Sequence, residues 1–220
     1  MNAVILGGTG LIGGYLLHEL INDNYFEKVI ALTRRPLQLI NARLENVVVD
    51  FDKFSELESS YQTAAVIFVA VGTTQKNVKG DKMAYRKVDY DITLNIAKIA
   101  VQKGAETFVL VSSVGADPEA NNFYTKLKGE IEQAISKIGF KSMYIFRPSV
   151  LLGKRREFRL LEKIAQGLMK SVSKIFYGTA AKYKAVQAKD VARAMLRVGK
   201  EASPGRHILY YDDVMNLIKP

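Results

Sequence analysis

Residues 1–17, MNAVILGGTGLIGGYLL, are the most informative part of the sequence. Residues 3–6 form a short apolar run with β-branched side chains, which predicts a buried strand. Gly7, Gly10 and Gly13 follow at three-residue spacing, and apolar residues then recur with helical period. A strand, a glycine turn and a helix in this order are typical of a dinucleotide-binding turn.

Each glycine has a separate reason in such a turn. Gly7 permits the tight turn off the strand, Gly10 lets the backbone approach a pyrophosphate, and Gly13 lets the helix pack closely on the sheet. The helix then directs free N–H groups and its positive dipole end at the phosphates. A glycine-rich turn without a ligand is the alternative, but a turn alone needs only one or two glycines.

The second predicted strand, residues 28–32, ends just before Arg34 and Arg35. An acidic residue near this point binds the ribose 2′-hydroxyl in NAD-selective sites. Guanidinium groups instead bind a 2′-phosphate through charge-assisted, often bidentate hydrogen bonds. The sequence therefore favours NADP(H) over NAD(H), with a pair of solvated surface arginines as the alternative.

Two further strand ends are expected at the same crevice, because ligands of open α/β sheets bind at the carboxyl ends of the strands. The third predicted strand, residues 46–50, offers Asp50 as a partner for the adenine amino group and Phe51 as a wall of the base pocket. Capping of the next helix by Asp52 is an equal alternative. The fourth, residues 65–71, is followed by a polar loop and by a helix predicted over residues 83–103.

A fifth predicted strand, residues 107–111, delivers Ser112 and Ser113 to the crevice. The helix that follows begins near Tyr124, and Lys128 lies four residues further on the same helix face. The alternative is a Tyr-x-x-x-Lys pair that occurs by chance, because the chain has 11 tyrosines. The reason to assign the pair a function is its position directly after the strand that ends in the two serines.

These side chains fit the reduction of a carbonyl or the reverse oxidation of an alcohol. Tyr124 is the candidate general acid, because the ammonium of Lys128 lowers the pKa of a nearby phenol towards neutrality. Lys128 is also a candidate partner for the nicotinamide ribose hydroxyls. Ser113 is the candidate that stabilises charge on the substrate oxygen, preferred to Ser112 because it lies further out of the strand.

Composition fits one globular α/β domain. The chain has 220 residues, of which 48% are hydrophobic and 25% charged. No apolar run approaches the ~18 residues of a membrane span. With no cysteine and only His18 and His207, no metal site is predicted. We expect a cytoplasmic location.

Positive charge is concentrated in the last third of the chain. Residues 1–140 carry 15 basic and 16 acidic side chains, whereas residues 141–220 carry 17 and 6. This asymmetry indicates an anionic partner: a phosphorylated or carboxylated substrate, a nucleic acid or a membrane surface. Nucleic acid is the weakest of these, because no aromatic-and-basic readout motif is present. We expect a basic amphipathic helix over residues 160–175 and, at the crevice mouth, Lys154, Arg155, Arg156 and Arg159.

The order of these motifs resembles the atypical short-chain dehydrogenase/reductases. Residues 1–160 are similar to the branch that contains the human Tat-interacting protein and its bacterial relatives. In that branch, the residues that match Tyr124 and Lys128 are the catalytic pair. The resemblance also implies a set of cofactor contacts at Thr9, Gly10, Leu11, Ile12, Arg34, Arg35, Val71, Gly72, Leu151 and Arg159, and Thr73 follows Gly72 in the same motif.

Together these features predict an α/β fold with a doubly wound parallel sheet (a Rossmann fold) and a small C-terminal substrate-side lobe. We expect one domain over residues 1–220, with the nucleotide-binding core at about 1–150 and the lobe at about 151–220. The expected activity is NADP(H)-dependent oxidation or reduction of a small molecule. A non-catalytic protein that senses NADPH and binds a partner is the alternative. The substrate and the oligomeric state stay open, and an oligomer is compatible with the sequence.

Overall fold

Seven strands form one parallel sheet in the part of the chain that the computed structural model describes, residues 1–73, 77–153 and 182–219. These seven strands are β1 (Asn2–Leu6), β2 (Lys28–Thr33), β3 (Leu44–Val48), β4 (Val66–Val69), β5 (Thr107–Val111), β6 (Ser142–Phe146) and β9 (Gly205–Leu209). Two short strands, β7 (Leu151–Leu152) and β8 (Val186–Gln187), form a separate sheet. The helices are α1 (Leu11–Asn22), α2 (Phe54–Ser60), α3 (Lys82–Arg86), α4 (Ile92–Gln102), α5 (Phe123–Ser136), α6 (Ala188–Lys200) and α7 (Tyr211–Leu217).

The strand order places a ligand crevice at the centre of the sheet. The order is β3-β2-β1-β4-β5-β6-β9, and every pair is parallel. The direction of winding reverses between β1 and β4, and ligands of such sheets bind outside the carboxyl ends of the strands at this point. The glycine turn follows β1 there, and Val71 follows β4. The prediction of a doubly wound parallel sheet is confirmed.

Two apolar layers enclose the sheet, because side chains along a strand alternate between its two faces. In β1, Ala3 and Ile5 pack with α1, α6 and α7, whereas Val4 and Leu6 pack with α2, α4 and α5. Parallel strands covered on both faces read as nearly continuous apolar runs. This explains why β1, β2 and β4 were recognisable in the sequence.

The long helix predicted over residues 83–103 is interrupted by a π-helical turn. Lys87–Asp91 forms this turn between α3 and α4. Single π-helical turns inside α-helices are rare and occur frequently at functional sites. The turn changes which side chains of the helix face the sheet, and it buries Asp89.

Two strands, β3 and β9, end where a carboxylate accepts a backbone hydrogen bond, and β3 therefore ends before residue 50, the end predicted from its apolar pattern. β3 ends at Val48, because the Asp50 carboxylate accepts a hydrogen bond from the N–H two residues further on and turns the chain. β9 ends at Leu209, because the Asp213 carboxylate accepts a hydrogen bond from the N–H of Tyr210 as α7 begins. Side-chain capping therefore sets both strand ends.

A second sheet of two short strands, β7 and β8, pairs Leu151 with Val186. These strands flank residues 154–181, which lie outside the described residues. The predicted basic helix over residues 160–175 falls there, as do the basic residues expected at the crevice mouth, Lys154, Arg155, Arg156 and Arg159. Among the described helices, none has the length and apolar character needed to cross a membrane.

Candidate functional site

The glycine turn between β1 and α1 has no room for side chains. Gly7 has a φ of +90°, and a β-carbon there would lie 2.6 Å from the carbonyl carbon of Ala70, after β4. A β-carbon on Gly13 would lie 2.0 Å from the carbonyl oxygen of Gly7. The N–H of Gly10 donates to this same oxygen at 2.9 Å and closes the turn. The tight turn and the close helix packing inferred from the sequence thus have a steric basis.

The start of α1 is suited to an anion. Gly10 is its N-cap, no side chain caps the helix, and its first turn contains no acidic residue. The first N–H groups of a helix have no partner within the helix, and the positive dipole end attracts phosphate. Thr9 is exposed and Leu11 is half-buried, whereas Ile12 is buried in the core and can offer only its backbone. The residues present fit a pyrophosphate.

Arg34 and Arg35 lie just beyond the carboxyl end of β2. Both residues are exposed to solvent. Neither forms an ion pair with any residue in the described ranges. Two guanidinium groups without a carboxylate partner at this strand end fit a 2′-phosphate better than a ribose hydroxyl.

The turn after β3 carries the two residues predicted at the adenine. Asp50 is exposed, and one of its oxygens accepts the N–H of Asp52 at 3.0 Å. Phe51 is half-buried against the apolar layer on the α2 side. Asp52 pairs with Lys87 at 2.8 Å and does not cap α2, whose N-cap is Lys53. The alternative of a cap at Asp52 is wrong.

Tyr124 and Lys128 lie one turn apart near the start of α5, as their spacing predicts. Asn122 begins this helix, because its side-chain oxygen accepts hydrogen bonds from the N–H groups of Tyr124 and Thr125. Tyr124 is half-buried and Lys128 is buried. The Lys128 Nζ lies 6.0 Å from the centroid of the Tyr124 ring. The helix thus brings a phenol and an ammonium together.

Lys128 has a partner that sequence reasoning missed. Its Nζ lies 2.8 Å from the Oδ1 of Asp89, and the two side chains are 6% and 0% exposed. The Oδ2 of Asp89 accepts a hydrogen bond from the N–H of Thr73 at 2.8 Å. Asp89 therefore joins α5 to the backbone segment that follows β4, at the switch point of the sheet.

The carboxylate of Asp89 keeps the buried ammonium charged. Burial lowers the pKa of Lys128, but attraction by Asp89, with smaller contributions from Tyr124 and Glu132, leaves that pKa above its ordinary value. Lys128 is therefore protonated at neutral pH. The positive charge of Lys128 therefore interacts with both Asp89 and Tyr124, and the Asp89 carboxylate balances it.

Tyr85 is a second residue that sequence reasoning missed. Its hydroxyl donates a hydrogen bond to the carbonyl oxygen of Thr73 at 2.9 Å, so both backbone groups of Thr73 are held. The Tyr85 ring lies edge-on to the Tyr124 ring, with 6.2 Å between centroids. Burial and the nearby Asp89 charge raise the pKa of Tyr85, which keeps its hydroxyl protonated. The available signal was the four-residue spacing of Tyr85 and Asp89.

The two serines after β5 have different surroundings. Ser112 is buried, and its hydroxyl donates to Glu132 at 2.5 Å; Glu132 also pairs with Arg147 at 2.5 Å. Ser113 is half-buried, and its hydroxyl makes a longer 3.2 Å hydrogen bond to the carbonyl of Val114. Ser112 belongs to a buried network, whereas the Ser113 hydroxyl can exchange its local contact for a substrate oxygen. The geometry favours Ser113 in that role.

The remaining candidate contacts lie along the same crevice. Val71, Gly72 and Thr73 follow β4, one residue beyond its end. Leu151 lies in β7, and the neighbouring Gly153 packs on the glycine turn, since a β-carbon there would lie 2.9 Å from a methyl carbon of Leu11. These strand ends therefore meet around the start of α1. Another predicted contact, Arg159, lies outside the described residues.

Comparison with known proteins shows the family. A family model described as NAD(P)H-binding matches residues 7–202. HTATIP2 of Rattus norvegicus is 36% identical over 204 residues, which cover 91% of this chain and 81% of the rat protein. The mitochondrial protein FMP52 of Saccharomyces cerevisiae is 40% identical over 157 residues, covering 70% of this chain and 68% of the yeast protein.

The predicted cytoplasmic location is contradicted by these relatives. The FMP52 proteins of Saccharomyces cerevisiae, Debaryomyces hansenii and Emericella nidulans are all named mitochondrial. The prediction rested on composition and on the lack of a long apolar run. Neither property distinguishes one aqueous compartment from another, so the cytoplasmic prediction is wrong.

Solved structures with low sequence identity share the fold. MoeE5 in complex with UDP-glucose and NAD has a TM-score of 0.72 at 18% identity, covering 98% of this chain and 80% of MoeE5. The dTDP-glucose 4,6-dehydratase DesIV of Streptomyces venezuelae has a TM-score of 0.71 at 18% identity, covering 99% and 80%. The matches to the family model, to HTATIP2 and to this fold agree with the motifs of the glycine turn and of α5. The chain belongs to the NAD(P)H-binding family, in the atypical short-chain dehydrogenase/reductase branch that resembles HTATIP2.

Proposed function

We propose that this protein is an NADP(H)-dependent oxidoreductase that interconverts a carbonyl and an alcohol in a small molecule, with Tyr124 as the general acid. One observation carries the proposal: Tyr124 lies beside Lys128, which pairs with Asp89, which in turn holds Thr73. These contacts join the start of α5 to the backbone next to the glycine turn. They set a phenol and an ammonium at the switch point, where a dinucleotide is expected.

The cofactor would be held mainly by backbone groups and by two arginines. The N–H groups at the start of α1 would bind the pyrophosphate, and residues 71–73 would border the nicotinamide half. Asp50 and Phe51 would border the adenine. The preference for NADP(H) over NAD(H) rests on the exposed guanidinium groups of Arg34 and Arg35.

The catalytic side chains have separate tasks, and Lys128 has two. Bound NADPH supplies the hydride. Tyr124 donates its phenolic proton to the substrate oxygen, and Ser113 donates a hydrogen bond to the same atom. The Lys128 ammonium stabilises the phenolate that remains. Because an ammonium has three donors and Asp89 occupies one, Lys128 also keeps donors for the nicotinamide ribose hydroxyls.

An anionic small molecule is the substrate class that the charge distribution favours. The last 80 residues carry 17 basic and 6 acidic side chains, and the substrate-side strands β7 and β8 belong to this region. A basic surface around a crevice raises the local concentration of an anionic substrate. Carboxylated and phosphorylated carbonyl compounds are therefore the first compounds to test.

A cofactor sensor is the second candidate function, and one observation favours it. Asp89 balances the charge of Lys128 at 2.8 Å, so Lys128 stabilises a Tyr124 phenolate less than an unpaired ammonium would. A site of this kind can bind a dinucleotide without efficient proton transfer. The retained Tyr124 and Lys128 pair favours the enzyme, because a sensor needs neither.

Replacing Arg34 and Arg35 together with Ala is expected to weaken NADPH binding far more than NADH binding. A lost charge-assisted hydrogen bond costs about 1.5–3 kcal/mol, which is about ten- to a hundredfold in affinity. NADH lacks the 2′-phosphate and should bind the variant about as well as it binds the parent. Calorimetric titration of both nucleotides into both proteins measures the change.

The matched control replaces Lys141 and Arg193 with Ala. These exposed residues pair with Glu106 and Glu19 and lie away from the crevice. The control therefore removes as many positive charges as the Arg34 and Arg35 variant does, but at a distance from the nucleotide site. The control should keep the parent's preference for NADPH. Equal affinity of the parent protein for NADPH and NADH would contradict the proposed cofactor selectivity.

A further inference from the structure

We infer that Asn46 is a specificity-determining residue, which sets the preference for NADP(H) by holding the loop that presents Arg34 and Arg35. We call residues 33–37 the arginine loop. The inference rests on the proposed function, in which these arginines bind the 2′-phosphate. Asn46 lies in β3, the strand next to β2, and it acts through the loop without touching the nucleotide.

The side-chain amide of Asn46 makes three hydrogen bonds, all to β2 and the arginine loop. Its Nδ2 donates to the carbonyl oxygen of Ala31 at 3.0 Å and to the hydroxyl of Thr33 at 2.7 Å. Its Oδ1 accepts the N–H of Leu37 at 2.7 Å. One side chain therefore forms hydrogen bonds with the last part of β2 and with both ends of the arginine loop.

Thr33 extends this hydrogen-bond network to the middle of the arginine loop. Its hydroxyl accepts from Asn46 and donates to the carbonyl oxygen of Arg35 at 2.8 Å. Its own carbonyl oxygen accepts the N–H of Val49 at 2.9 Å. Thr33 itself is buried, and its hydrogen bonds to Asn46 and Arg35 are partly buried. The backbone that carries the arginines is thus fixed from Asn46 outward.

In the part of the chain that the structure describes, no other side chain holds the side chains of the two arginines. Both are exposed, and within the described ranges no carboxylate pairs with either. Their placement therefore depends on the backbone of the loop. Binding a 2′-phosphate with a loop that is already ordered avoids the entropy cost of ordering it on association. Loss of Asn46 should restore that cost for NADPH only.

Only an amide supplies what this position requires. An Asp side chain accepts from Leu37 but cannot donate to Ala31 or Thr33 when ionised. Leu has a similar volume but neither donates nor accepts hydrogen bonds. Asn46→Ala and Asn46→Leu remove the same hydrogen bonds while differing in the cavity they leave, so an effect common to both comes from the hydrogen bonds.

The test is calorimetric titration of NADPH, NADH, 2′,5′-ADP and 5′-ADP into the parent protein and both Asn46 variants. We expect affinities for NADPH and 2′,5′-ADP to fall about tenfold, with those for NADH and 5′-ADP changed by less than about twofold. The control is Asn41→Ala. Asn41 lies in the same β2–β3 connection, but its side chain accepts only the N–H of Arg43, at 2.8 Å. This control should bind all four nucleotides as the parent does.

A further comparison tests whether Asn46 acts through the arginines. Adding Asn46→Ala to the Arg34→Ala/Arg35→Ala variant should cause no additional loss of NADPH affinity, since the loop then has nothing left to present. An unchanged ratio of NADPH to NADH affinity in both Asn46 variants would overturn the inference and leave the proposed function intact. An equal loss for all four nucleotides would overturn it as well. A parent protein without preference for NADPH would instead defeat the proposed selectivity.

Discussion

Replacing Tyr124 with Phe is expected to lower turnover on any accepted carbonyl compound by about 10²–10⁴-fold, the usual contribution of general acid–base catalysis. The change removes one hydroxyl, and the described structure shows no hydrogen bond from it that the fold depends on. The aromatic contact with Tyr85 needs only the ring. NADPH affinity and stability should therefore stay close to the parent values. Steady-state turnover and nucleotide titration on the same preparation measure both.

Tyr25→Phe is the matched control for this variant. Tyr25 lies between α1 and β2, at the amino ends of the parallel strands and so away from the crevice, and its ring packs on Phe26 at 5.0 Å between centroids. This control loses the same hydroxyl group and should keep full turnover. Unchanged turnover in Tyr124→Phe would remove Tyr124 from catalysis and leave the cofactor sensor as the better account.

Replacing Asp89 with Ala is expected to destabilise the protein by about 3–5 kcal/mol at neutral pH, because it leaves the buried ammonium of Lys128 without its partner. It also frees the N–H of Thr73. The double variant Asp89→Ala/Lys128→Ala should be less destabilised than the sum of the two single variants. Denaturant unfolding of the parent and the three variants gives this coupling free energy.

The exposed Asp91, in the same π-helical turn, offers the control Asp91→Ala, which should change the free energy of unfolding by no more than about 0.5 kcal/mol.

The pH dependence of the stability that Lys128 contributes has a definite sign. The pKa of Lys128 is raised in the folded protein, so its stabilising contribution is complete below the unfolded pKa and is lost as pH rises through the folded value. Additive effects of Asp89→Ala and Lys128→Ala would contradict the coupling.

The parts of the site that sequence predicted are those formed by residues close together in the chain. The glycine turn follows from the spacing of Gly7, Gly10 and Gly13, because a strand, a turn and a helix within 17 residues leave few alternatives. The position of Tyr124 and Lys128 on one face of α5 follows from helical geometry. The parallel sheet follows from the apolar runs of its central strands.

The partners of these residues could not be predicted, because they come from distant segments. Asp89 accepts a hydrogen bond from Thr73, which lies 16 positions earlier in the chain, and it pairs with Lys128 of another helix. The burial of Asp89 depends on a π-helical turn. A helical pattern assumes 3.6 residues per turn and does not reveal that change of register. Asn46 looks like an ordinary residue of an edge strand until its contacts with the arginine loop are seen.

In the proposed reaction, a hydride passes from NADPH to a carbonyl carbon and Tyr124 donates the proton. The most direct test incubates the parent protein and Tyr124→Phe with NADPH deuterated at the transferable position and with carboxylated and phosphorylated aldehydes and ketones. Mass spectrometry then measures deuterium in the alcohol products. We expect deuterated alcohol from the parent and about 10²–10⁴-fold slower formation with Tyr124→Phe. Tight calorimetric binding of NADPH, with no more deuterium transferred by the parent than by Tyr124→Phe, would contradict it.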